Sequence, residues 1–267
     1  DPGKGKSLLT LDMAARVTRG SPWPDASDSA PPIGDVVLLS AEDDIADTIR
    51  PRLDAADADV NRIHVLTAIR GKDEDGEYQR HVDLTRDITH VEEAIRRTSS
   101  CRLVVIDPIS AYLGATDSHK NAEIRGLLAP LAELATKHRV AVLAVTHLRK
   151  GEGLAIHRAM GSLAFVAAAR AVWAVGADRN DDARRLFLPV KNNLSVDIEG
   201  LAFRIVRGKG GPIVDWEDDA VEVSADEILG RTGRPRHSPA QDEAVDWLRN
   251  KLMEGPVEAK KVKADAK

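Results

Sequence analysis

The chain has 267 residues, 43% hydrophobic and 30% charged, enough to bury a core and too apolar for a disordered chain. Its 38 Lys and Arg against 43 Asp and Glu leave a formal charge of −5, which excludes a protein coated in nucleic acid and confines any such contact to local segments. Cys101 is the only cysteine, so an internal disulfide framework and a Cys-rich zinc site are excluded, and a reducing, cytoplasmic setting is expected. The longest apolar run, 163–177, is interrupted by Arg170 and is too short to span a bilayer, so no membrane partner is expected.

Residues 1–7 read as a glycine-rich loop. Residues 8–18 predict a helix with Leu8, Leu9, Leu11, Met13, Ala14, Ala15 and Val17 on or near one face. Residues 21–34, rich in Pro, Ser and Asp, read as a surface connection. The apolar run 36–39 has strand length and ends at Ser40-Ala41-Glu42. A helix is expected over 43–56, where Ile45, Ile49, Leu53 and Ala56 recur at helical spacing and Asp43 or Asp44 can cap it. A strand follows at 63–66, whereas 71–80, charged and carrying two glycines, reads as a loop.

Further on, 91–97 predicts a helix and 103–106 an uninterrupted apolar strand of the kind found inside parallel sheets. Residues 121–138 predict a helix with Ile124, Leu127, Leu128, Leu131 and Leu134 inward and Pro130 able to kink it. A strand is expected at 140–145, a helix at 163–170, a strand at 171–175, and late antiparallel strands at 186–190 and 201–206. Strands and helices alternating in this way indicate an α/β fold, a doubly wound, mostly parallel twisted sheet flanked by helices. The composition shifts at 231–240 to Arg, Gly, Pro and Ser, dividing the chain into a 1–230 core, a 231–240 linker and a 241–267 segment that opens a C-terminal helical module with a helix at 242–253.

The phosphate-loop pattern G-x-x-x-x-G-K-[ST] is met by Asp1-Pro2-Gly3-Lys4-Gly5-Lys6-Ser7, except for its leading Gly, which falls one position before Asp1. The expectation is a fragment lacking that Gly and the strand leading into the loop, with impaired nucleotide affinity. Small residues let successive N–H groups wrap phosphates, so Gly3, Lys4 and Gly5 are candidates for that wrapping. Lys6 then reaches the β- and γ-phosphates of ATP, Ser7 holds Mg²⁺, and the following helix turns its positive end to the anion.

Asp107 ends the run Leu103-Val104-Val105-Ile106-Asp107, a placement that suits a carboxylate holding Mg²⁺ through water or, alternatively, a turn cap. Glu42 stands just past a strand and can orient and deprotonate an attacking water; Asp43 and Asp44 are assigned to capping. His147, at the end of another apolar strand, can sense a γ-phosphate or be a structural histidine. Leu148-Arg149-Lys150-Gly151 follows as a basic loop able to respond. Arg170 is a cation inside an apolar segment, so it pairs internally or emerges at an interface as an arginine finger.

These landmarks, in this order, resemble the RecA-like P-loop ATPases. Within them the chain is most similar to the branch of the plasmid hexameric replicative helicase RepA and its phage and mobile-element relatives, the AAA family ATPases of such elements. The likeness runs over 1–206 and is carried by Ser40-Ala41-Glu42-Asp43-Asp44 with Arg52-Leu53, the strand ending in Asp107, Thr146-His147 with Lys150-Gly151, and the stretch from Gly161-Ser162 to Arg170.

The resemblance implies an ATP- and Mg²⁺-dependent hydrolase that forms a hexameric ring and acts on single-stranded DNA in replication. Lys6 and Ser7 would bind nucleotide and Mg²⁺, Asp107 would be the Walker B acid, Glu42 the base, His147 the sensor and Arg170 the finger supplied in trans. Loops 111–121 and 148–160, with Tyr112, Lys120, Arg149, Lys150 and Arg158, would line the ring and touch DNA. Related ring helicases carry Lys-x-Arg near the late strands where this chain has Lys191-Asn192-Asn193, so Lys191 alone could reach a neighbour's γ-phosphate. Aromatic residues are only 3% of the chain, which leaves few stacking platforms. The tail resembles the start of a winged-helix module. The competing expectation is an ATP-gated DNA-binding or regulatory module without unwinding activity. A small-molecule kinase is disfavoured by the lack of an Arg-rich lid segment.

Overall fold

A computed structural model describes residues 4–25, 30–73, 76–114, 116, 121–147, 163–195, 199–229 and 251. The chain divides into two compact units, Asp1–Gly230 and Arg231–Lys267. The segment 231–240 and, apart from residue 251, the helix expected at 242–253 lie outside the described residues.

In chain order the elements are α1 (Lys6–Arg19), β1 (Asp35–Ser40), a π-helical turn (Ile45–Ile49) running into α2 (Arg50–Ala55), β2 (Ile63–Val65), β3 (Ile69–Asp73), β4 (Gly76–Arg80), α3 (Ile88–Arg97) and β5 (Cys101–Asp107). There follow α4 (Asn121–His138), β6 (Ala141–Ala144), α5 (Leu163–Ala168), β7 (Ala171–Ala177), β8 (Arg184–Asn192), β9 (Leu201–Arg207), β10 (Pro212–Trp216) and α6 (Ala225–Leu229). Four strands form a parallel sheet in the order β2-β1-β5-β6, and four form an antiparallel sheet in the order β10-β9-β8-β7.

Uninterrupted aliphatic runs make β1 and β5 the centre of the parallel sheet because both of their faces are covered. Val36, Leu38, Leu103 and Val105 pack on one side with Leu11, Ala14 and Ala15 of α1 and with Ile49 and Leu53. On the other side Val37, Leu39, Val104 and Ile106 pack with Val91 and Ile95 of α3 and Ile124, Leu127 and Leu131 of α4. Each Val, Leu or Ile side chain among them contributes about 1.5–3 kcal/mol on burial.

The antiparallel sheet alternates in the same way. Leu186, Leu188 and Ala202 pack with Val221 and Ala225. Its aromatic residues pack against one another: Trp173 stacks on Phe187 at 4.4 Å, and Phe203 lies tilted against Trp216 at 5.3 Å. The Trp216 indole N–H donates to Asp12 of α1 at 3.0 Å, tying this sheet to the first helix.

Three expectations need correction. The stretch 71–80 is a hairpin arm, β3 paired antiparallel with β4 from Ile69↔Arg80 to Asp73↔Gly76. The expected helix 43–56 starts as a π turn, in which the Ile49 and Arg50 N–H groups reach back to the carbonyls of Asp44 and Ile45. Pro51 has no N–H with which to continue an α ladder at that point. A tenth strand, β10, pairs with β9 where none was expected. Helix α4 continues through Pro130.

Candidate active site

The parallel sheet brings its strand ends to one level. Ser40 is in register with Asp107, and the Ala41 N–H donates to the Asp107 carbonyl at 3.1 Å. On the other side of β5 the Val145 N–H donates to Ile106, and the Ile109 N–H to Val145, both at 2.9 Å. Glu42, Asp107 and His147 therefore emerge at the carboxyl edge of three consecutive strands, the edge where ligands bind in open α/β sheets.

Helix α1 meets this edge through its N-terminus. Gly5 caps it in the left-handed region at φ 87°, and no side chain caps the first-turn N–H groups. A Cβ on Gly5 would stand 2.8 Å from the Ile205 side chain, so both backbone and space call for glycine here. Ser7 hydrogen-bonds the Asp107 carboxylate, and Lys6 faces both Asp107 and Glu42. Burial lowers the Lys6 ammonium from its ordinary value, with Asp107 and Glu42 working against that shift. Asp107 is 7% exposed, and its carboxyl is pushed up by burial and by the acids Glu42 and Asp43, which outweigh Ser7 and Lys6.

His147 Nε2 lies 3.6 Å from Glu42 Oε1, although β1 and β6 are separated by β5. The Glu42 side chain is 60% exposed, open to solvent and substrate. Among the described residues, His147 Nδ1 and Thr146 Oγ1 are buried without a hydrogen-bond partner. Asp43, expected as a cap, instead holds Arg52 at 2.8 Å; Asp44 alone caps the helical turn, accepting from the Ala46 and Asp47 N–H groups at 2.8 Å. The sequence reading quoted Thr146 only as the neighbour of His147 and gave it no role, and it passed over the Asp43–Arg52 tie that braces the Glu42 loop.

Other expected site residues lie elsewhere. Gly3 is outside the described residues, and Lys4 is half-buried ahead of Gly5. Arg170 is not buried: it is exposed at the α5–β7 junction and makes no ion pair or side-chain hydrogen bond among the described residues. Lys191, expected to reach a neighbour's γ-phosphate, donates its ammonium to the carbonyls of Val166, Ala167 and Ala169. Tyr112, expected in a DNA-facing loop, is 5% exposed and belongs to the core, where burial and then Asp107 push its hydroxyl up to about 12. Lys120, Arg149, Lys150 and Arg158 lie outside the described residues.

A parallel sheet covered on both faces, with a Gly-Lys-Ser helix start beside a buried strand-end aspartate, defines a P-loop ATPase of RecA-like fold. The crystal structure of the RadB recombinase is similar in fold, with a TM-score of 0.50 at 15% identity over 76% of this chain and 83% of that one. Residues 1–153 match the family described as an AAA domain, and the chain belongs to that family. No curated protein matches the chain in sequence. Among the described residues no helix is long and apolar enough to cross a membrane.

Proposed function

We propose that this chain hydrolyses ATP in a Mg²⁺-dependent reaction and acts on DNA as a ring-forming, replicative-helicase-like ATPase of a plasmid, phage or mobile element. The observation that carries the reading is the approach of His147 to Glu42 at 3.6 Å, beside Asp107, Lys6 and Ser7.

The residues present fit both ligands. Hard oxygens from Ser7 and Asp107 stand together, and the acids around Asp107 favour a cation there. Ser7 and Asp107 would hold Mg²⁺, which would supply positive charge against the charge building on the phosphates. Lys6 binds the β- and γ-phosphates. Glu42 orients the attacking water and accepts its proton. His147, touching Glu42, senses whether a γ-phosphate is present. Arg170, exposed and unpaired among the described residues, serves a neighbouring protomer's nucleotide. DNA contact falls to the segments 111–121 and 148–160 and works by phosphate tracking through Lys120, Arg149, Lys150 and Arg158; buried Tyr112 offers no stacking surface.

The test is Glu42→Gln in the full chain, read by ATP turnover and by binding of a fluorescent ATP analogue. The expected result is loss of turnover by at least about 10²-fold with binding retained. Unchanged turnover overturns the assignment. In the unsubstituted chain single-stranded DNA should raise turnover; hydrolysis indifferent to DNA points instead to an ATP-gated module that unwinds nothing.

A further inference from the structure

We propose that Lys191 is a positioning residue: it holds the end of α5 and so sets the root of Arg170, without itself touching a nucleotide. The inference rests on the reading of Arg170 given above.

Helix α5 ends at Ala168, and the chain turns through Ala169 and Arg170 into β7 at Ala171. The last carbonyls of a helix have no N–H partner within it and form its negative end. Lys191 Nζ donates to three carbonyls at this end: Val166 at 3.0 Å, Ala167 at 3.0 Å and Ala169 at 2.7 Å. An ammonium has three protons, so this set uses every one of them.

Two residues on, the Asn193 N–H donates to the carbonyl of Arg170 itself at 2.9 Å. Between these anchors Ala171 pairs with Asn192 and Val172 with Lys191 across the β7–β8 ladder. The backbone on both sides of Arg170 is thus clamped to the single stretch 191–193. Its side chain, by contrast, is exposed and has no partner among the described residues. A fixed root below a free cationic tip is the arrangement a finger needs, because less freedom remains to be lost when the guanidinium docks. For Lys191 to bind phosphate instead, it would have to leave three charge-assisted hydrogen bonds and strand the carbonyls it satisfies.

The experiment measures ATP turnover and ATP-analogue affinity in the full chain for Arg170→Ala, Lys191→Met, the double variant, and Lys191→Gln, whose amide still donates. Arg170→Ala should lower kcat by about 10³-fold or more. Lys191→Met should lower kcat by about 10–10²-fold through misplacement of Arg170, with affinity unchanged. It should add nothing in the double variant, and Lys191→Gln should recover part of the loss. Normal kcat in Lys191→Met beside an impaired Arg170→Ala overturns the positioning role. A loss that multiplies in the double variant, or weakened analogue binding, also overturns it, since Lys191 would then touch the nucleotide. Normal turnover in Arg170→Ala sinks the reading of Arg170 itself. Should Lys191→Met fail to fold, Lys191→Gln is read by the same criteria, with unchanged kcat counting against the proposal.

Discussion

Two buried aspartates stand at opposite ends of the central pair of strands, and their surroundings push them in opposite directions. Asp35 opens β1 and is 4% exposed; Asp107 closes β5 and is 7% exposed. Burial raises both. At Asp35 it is outweighed by the Ser100 N–H and the Ser99 hydroxyl, each at 3.0 Å, with His64 adding to them, so the carboxyl ends below its ordinary value. At Asp107 the Ser7 hydroxyl and Lys6 are too little against burial and the neighbouring acids, and the carboxyl ends above it. One edge of the sheet is finished by the protein; the other waits for positive charge from outside. A titratable group left in that state in a cleft is what a binding site looks like in physical terms.

The largest expected effect falls on the unfinished edge. Asp107→Asn keeps shape and one acceptor while removing the charge, and should lower ATP turnover by at least about 10²-fold. In the nucleotide-free protein it should also raise Tm, by about 2–4 °C for each kcal/mol regained. A fall in Tm would mean that Asp107 is already satisfied, and the contrast would collapse. The matching change at the finished edge, Asp35→Asn, should cost about 1–3 kcal/mol of stability through weakened charged hydrogen bonds and leave kcat where it was. Thermal melts and turnover on the same two samples decide between the outcomes.

How much of this was legible beforehand follows from the kind of signal each part carries. The strands β1 and β5 and the helices around them announce themselves because burial on both faces demands unbroken aliphatic runs, and the edge strand β6, although only half-buried, carries an apolar run of the same kind. Glu42, Asp107 and His147 were readable as residues just past such runs, since parallel strands deliver their ends to one edge. The β3–β4 hairpin was not readable: Gly71, Lys72, Asp73, Gly76 and Glu77 show neither alternation nor apolar content, and only Ile69 at its base reaches the core. Strand β10 is short, opens on Pro212 and carries Asp215 between its apolar residues, which blurs its pattern. Tyr112 gave no hint of burial, because a lone aromatic just after a strand end suits a loop as well as a core. The partners of Lys191 lie 22–25 residues back along the chain and are backbone carbonyls, which have no sequence identity to read.

The smallest effect is also the sharpest discriminator, because the two aspartates should respond to acid with opposite sign. A carboxyl held below its unfolded value, as at Asp35, stabilises the fold fully above the unfolded value of about 3.9 and loses that contribution as pH falls through the folded one. A carboxyl held above its unfolded value, as at Asp107, burdens the fold at neutral pH and is relieved as falling pH protonates it. In thermal melts of the nucleotide-free protein, the Tm deficit of Asp35→Asn should therefore shrink only in the acid range, below about pH 4. The Tm advantage of Asp107→Asn should start to shrink at higher pH, before the other difference changes. Added ATP and Mg²⁺ should narrow that advantage at neutral pH by stabilising more the chain that retains its carboxylate. If both differences ran parallel from pH 7 down to 4, the two ends of the sheet would be electrostatically equivalent, and the carboxyl edge would lose its physical claim to be the site.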